Sequence, residues 1–110
     1  MRDEIPPGTL CMLILKTLAR GGEMHGFEVA NSIQQISEEV LQVEEGSLYP
    51  ALQRMLKAGL VKTRWEVSPT GRRVRTYEIT TRGAKHLDRE LSNFERMLKG
   101  INLVLAPIKP

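Results

Sequence analysis

The side chains that type and spacing best equip for chemistry in this 110-residue chain bind charge and donate hydrogen bonds; none is arranged to make or break covalent bonds. In "SLYPALQRMLKAGLVKTRW", residues 47–65, the apolar Leu48, Leu52, Met55 and Leu56 fall at helical spacing on one side. Pro50, Gln53, Arg54 and Lys57 fall on the other, with Ser47 and Tyr49 at the leading end. A helix with one docking face and one short polar face can enter a nucleic-acid groove. There Gln53 could pair with adenine, and Arg54 with guanine or a phosphate. Further on, Arg64 and the trio Arg72, Arg73 and Arg75 around Gly71 put cations on a bendable turn, the chemistry of phosphate binding.

Charge distribution agrees. Net charge is only +3, yet residues 54–85 carry nine Lys or Arg against Glu66 and Glu78 alone. Residues 21–53 carry none, but hold Glu23, Glu28, Glu38, Glu39, Glu44 and Glu45. Such asymmetry suggests a polyanion partner for the basic segment. Other chemistries lack their parts. One cysteine, Cys11, forbids an intrachain disulfide, and two histidines, His25 and His86, make no cluster with metal-ligand spacing. No nucleophile–base pair, paired catalytic carboxylates or phosphate loop is legible, so neither an enzyme nor a cofactor is expected. The N-terminus lacks the layout of a signal peptide and the longest apolar run, Leu10 to Leu15, is too short to span a bilayer. A cytoplasmic protein without membrane partners is expected.

These residues must be held by a small set of elements. Residues 9–18 are apolar nearly all round and read as a buried helix, stopped by Gly21-Gly22. A second helix is expected over 26–36, with Phe27, Val29, Ala30, Ile33 and Ile36 inward. The third begins at Gly46 and Ser47, tolerates Pro50 in its first turn, and ends at Gly59. Alternation then takes over: Val61, Thr63, Trp65 and Val67, a turn at "SPTGRR", then Arg75, Tyr77 and Ile79. Trp65 is expected to anchor this hairpin to the body. Thr80 or Thr81 caps a last helix whose Ala84, Leu87, Leu91, Phe94, Leu98, Ile101 and Leu105 follow a strict heptad seam, weakened by Gly100 and ended by Pro107. The fold class is mainly α with a small β-hairpin, a winged helix-turn-helix over 1–80 followed by a long helix over 81–106. That helix is too long for a three-helix body to cover, which points to dimerisation through Leu87, Leu91, Phe94, Leu98 and Ile101, with the first helix joining.

The stretches "GTLCMLILKTLARGGEMHGFEVANSI", "GSLYPALQRMLKAGLV" and "GRRVRTYEITTRGAKHL" together resemble the PadR family of transcriptional regulators over residues 8–98. The most specific element is Gly46-Ser47-Leu48-Tyr49-Pro50 with Leu52, Arg54, Leu56 and Gly59-Leu60. The resemblance implies a homodimer that represses transcription at a palindromic operator on double-stranded DNA. In some members a small hydrophobic or aromatic effector releases the DNA. Trp65, Phe94 and Met97 are the candidates to meet such a ligand, although core and seam packing account for them without one. A rival from another class is a winged-helix protein-interaction module whose basic wing binds an acidic partner; a third reading is a DNA binder with little sequence preference.

Overall fold

A computed structural model of the chain describes residues 5–108. Residues 1–4, which belong to the expected first domain and to the N-terminus expected to lack a signal peptide, lie outside the described residues. The elements run α1 (Pro7–Gly21), β1 (Met24–His25), α2 (Gly26–Ile36), α3 (Glu45–Lys57), β2 (Val61–Val67), β3 (Arg73–Ile79) and α4 (Thr81–Leu105). The strands form one antiparallel sheet in the order β1-β3-β2. This is a mainly α fold with a β-wing and a long C-terminal helix, as the periodicity predicts.

α1 is the centre of the core. Its Leu10, Ile14, Leu15 and Leu18 are buried against Val29 and Ile33 of α2, Leu48, Leu52 and Met55 of α3, Tyr77 of β3 and Leu87 of α4. Burying each such side chain contributes roughly 1.5–3 kcal/mol. The inward face of α2 is narrower than expected: Phe27 and Ile36 are exposed. They flank the Val29–Ile33 stripe, and only that stripe meets α1.

The end of α3 fixes everything downstream. Gly59 adopts φ 75°, its N–H donates to Leu56 O (3.1 Å) and the Leu60 N–H to Met55 O (2.9 Å), a Schellman closure. Leu60 then starts the turn into β2. Its carbonyl accepts the Thr80 N–H (3.1 Å), and the Thr80 hydroxyl donates to Gly59 O (2.6 Å) while accepting from the Gly83 N–H (2.9 Å). Thr80 is thus the N-cap of α4, and α4 leaves the body in a direction set by the end of α3.

α4 is 25 residues, about 37 Å at 1.5 Å per residue. Its seam divides. Leu87 is buried and Leu91 half-buried on the chain's own core, whereas Phe94, Leu98, Ile101 and Leu105 are exposed. Of the residues expected to meet a second chain, Leu87 is covered by the core of its own chain, while Leu91 is half-buried beside it.

Candidate nucleic-acid interface

α3 starts at Glu45, ahead of the expected Gly46 and Ser47, with Glu44 as its N-cap. Those carboxylates sit where the helix dipole favours negative charge. The shift puts Pro50 in the second turn, where its missing N–H leaves the Gly46 carbonyl without an intrahelical donor. It also carries Ser47 inside the helix, where it is half-buried rather than at the exposed lip. The remaining polar positions keep their place: Tyr49, Pro50, Gln53, Arg54 and Lys57 form one exposed stripe along α3, opposite Leu48, Leu52 and Met55.

Tyr49 lies across the start of α2. A Cβ on Gly26 would come within 3.1 Å of its ring and 3.5 Å of its hydroxyl. A side chain at position 26 would push the phenol outward by a few tenths of an ångström. Tyr49 and Gln53 of α3 share a pocket of about 290 Å³ with His25 of β1, Gly26 and Phe27 of α2, and Arg75 and Tyr77 of β3. The face of α3 and the base of the wing therefore meet at one place.

The wing is a regular hairpin with Val67 opposite Arg73, Trp65 opposite Arg75, Thr63 opposite Tyr77 and Val61 opposite Ile79. Its tip closes through the Gly71 N–H to Ser68 O (2.9 Å), with Gly71 at φ 84°. Arg72 and Arg73 stand exposed there. The two faces of the hairpin differ sharply. On the face shared with α3, the Arg73 guanidinium lies 4.6 Å from the centre of the Trp65 ring. That of Arg75 lies 5.3 Å from the same ring and 5.8 Å from that of Tyr77. Burial pushes the Tyr77 phenol above its ordinary pKa, while Arg75 pulls the other way, so the ring stays neutral beneath the cation.

On the opposite face, acidic groups occupy the cations. Arg64 grips Glu23 with two nitrogens, Nε at 3.1 Å and Nη2 at 2.5 Å, and also reaches Glu66 at 3.5 Å. The guanidinium holds the Glu23 carboxyl below the usual carboxylate range, and Glu23 in turn raises Arg64. His25 Nε2 meets Glu66 at 3.0 Å, and Lys62 pairs with Glu78 at 2.9 Å. Arg64, expected to contact DNA, is paired with Glu23 on the face of the wing opposite Arg73 and Arg75.

Trp65 also departs from expectation. It is 54% exposed and does not anchor the wing. Val61, Tyr77 and Ile79 at the hairpin base make the body contact, and by Trp65 the hairpin has run beyond it. Nor does the structure bring the three candidate effector residues together. Trp65 stands among the wing arginines, whereas Phe94 and Met97 stand on the exposed half of α4. Cys11 is half-buried, and burial and Glu90 push its thiol pKa up, which suits an inert packing residue.

Two parts of the site escaped the sequence reading. β1, which pairs Met24 with Tyr77 and His25 with Thr76, is too short to show any period. Glu23 carries no local signal for its partner 41 residues away. Tyr77 beneath Arg75 was within reach, because alternation puts both on one face once Trp65 is set opposite.

The model of the transcriptional regulator PadR-like family matches residues 14–89. This chain belongs to the PadR-like family. It is thus a transcriptional regulator and not an enzyme. Its structure is similar to that of a transcriptional regulator from Clostridium thermocellum, at 28% identity and TM-score 0.81, covering 89% of this chain and 94% of that one. A PadR-like transcriptional regulator from Bacillus cereus gives 27% identity and TM-score 0.76, covering 92% and 95%. Bacillus subtilis PadR, solved in complex with operator DNA, shares the fold at 23% identity and TM-score 0.69, over 78% of this chain and 48% of that chain. Among the described residues no helix is long and apolar enough to cross a membrane.

Proposed function

We propose that this PadR-like regulator is a homodimeric repressor that binds double-stranded DNA at a palindromic operator through α3 and the wing. One observation carries the reading: Tyr49 and Gln53 of α3 line the same pocket as Arg75 of the wing, so a groove reader and a phosphate clamp face one way. In this arrangement Gln53 and Arg54 address base edges, while Tyr49, Lys57, Arg72, Arg73 and Arg75 hold the backbone. Pro50 adds a short apolar surface to the exposed stripe of α3, with Ser47 half-buried behind it. Arg64 braces the far face of the wing.

The exposed apolar line Phe94, Leu98, Ile101 and Leu105 is the dimer contact, continuing the packing that Leu87 begins inside the chain. Residues 5–80 then act as the DNA-binding unit and 81–106 as the dimerisation helix. A two-fold dimer presents two α3 helices to two half-sites, which is why the operator is palindromic. Release by a small hydrophobic or aromatic effector rests on family resemblance alone; Phe94 belongs to the seam, and Met97 stands exposed beside it.

The test is a titration of the chain against fluorescent duplexes tiled across the DNA upstream of its own coding region, at several salt concentrations with excess random competitor. Tight, competitor-resistant binding to one duplex, with affinity falling steeply as salt rises, is the expected result. Binding that competitor abolishes leaves a nonspecific binder, and no binding at low salt favours a protein-interaction module.

A further inference from the structure

Trp65 remains unexplained by the reading above. Its ring is 54% exposed on the wing and lies among cations. Its neighbours supply an explanation. Arg73, Trp65, Arg75 and Tyr77 alternate cation and ring along one face of the hairpin, from the exposed tip to the buried base. Tyr77 is 2% exposed and immobile in the core, so the series is fixed at one end. Arg75 Nε is buried and has no hydrogen-bond partner among the described residues. The guanidinium lies over two ring faces rather than against a carboxylate, so its charge is not paired off.

We infer that Trp65 is a positioning residue for DNA binding: it holds the guanidiniums of Arg73 and Arg75 at fixed places on the face shared with α3. The inference rests on the proposed DNA-binding function. A free arginine surrenders rotamer freedom when it grips a phosphate, and one already stacked on a ring surrenders less. The contrast with Arg64 is instructive. That arginine is also fixed, but by carboxylates that occupy two of its nitrogens and offset its charge. Ring faces are the means of fixing a cation while keeping it available.

The experiment compares wild type, Trp65→Leu, Trp65→Phe, Arg73→Ala/Arg75→Ala and the triple variant that adds Trp65→Leu. Each is titrated with the best upstream duplex and with random-sequence duplex at low salt. Because Trp65 is exposed and Phe keeps a π face, the thermal unfolding of the Trp65 variants should stay near that of wild type. Two stacked cations on an exposed ring imply that Trp65→Leu weakens duplex binding roughly tenfold, with Trp65→Phe within about threefold of wild type. The salt slope should be unchanged in Trp65→Leu, since both charges remain, and should fall by about 0.9 for each arginine removed. In the Arg73→Ala/Arg75→Ala background, Trp65→Leu should do nothing further.

If wild type and Trp65→Leu bind alike, Trp65 positions nothing. An additive loss in the triple variant also overturns the inference, because the ring then touches DNA itself. A wild-type chain that binds neither duplex overturns the DNA reading and this inference together, an outcome distinct from the other two.

Discussion

Residues 81–91 and 92–105 of α4 follow one apolar repeat and meet opposite surroundings. In the first half Gly83 and Leu87 are buried and Leu91 half-buried against the chain's own core. In the second half Phe94, Leu98 and Ile101 keep the same spacing and stand in the open, with Met97, Val104 and Leu105 beside them. A heptad records that a helix face is to be covered, but not by what. Length decides: the body reaches as far as Leu91, and the face beyond it stands exposed.

The sharpest break of that comparison is Leu98→Asp. If a second copy covers the outer half, each dimer loses two leucine burials of about 1.5–3 kcal/mol apiece and gains two carboxylates in the seam. The dimer dissociation constant should rise at least about a hundredfold. Sedimentation velocity then reports the 12.4 kDa chain instead of twice that mass, while far-UV circular dichroism stays that of a folded protein. Operator binding should fall with the dimer. An unchanged mass would put Leu98 outside any interface.

Leu87→Ala strikes the inner half and should act differently. Leu87 is 5% exposed in the core with α1, so truncation should cost about 2–5 kcal/mol of folding stability. Urea denaturation at fixed protomer concentration measures this, fixed because dimer formation itself stabilises the fold. The dimer constant, taken where the variant is still folded, should move far less than for Leu98→Asp. Were the two variants interchangeable in both assays, the division of α4 would be wrong.

Much of this architecture could be read from spacing, and the failures share a cause. α2 over 26–36 and the α3 closure at Gly59 came out because periodicity and a positive-φ glycine are local. The polar stripe from Tyr49 to Lys57 was legible for the same reason. What failed depended on where one element ends relative to another. Trp65 looked like an anchor because alternation gives its face but not the point where the hairpin leaves the body. Arg64 looked available because Glu23, 41 residues away in sequence, leaves no trace beside it. Ser47 and Pro50 lie further inside α3 than expected because Glu44 and Glu45, not the Gly-Ser pair, open it. Surface cations alternate as readily when paired as when free, so sequence alone could not separate Arg64 from Arg75.

The smallest predicted effects sharpen the comparison most, because one substitution made in each half should change sign. A Cβ on Gly83 would fall 2.0 Å from the Leu60 carbonyl oxygen and 2.9 Å from Ile79 Cγ1, at the junction that aims α4 away from α3. Backbone on one side and a packed isoleucine on the other cannot both yield, so Gly83→Ala should destabilise by about 1–3 kcal/mol despite alanine's better helix propensity. A Cβ on Gly100 meets nothing within 4 Å, and position 100 lies off the seam defined by Leu98 and Ile101. There propensity acts alone, and Gly100→Ala should stabilise the outer half by about 0.5–1 kcal/mol. Thermal unfolding of both variants at one protomer concentration checks the signs. Loss of stability in Gly100→Ala would mean that a neighbouring chain packs against the helix backbone there, on a face wider than the seam.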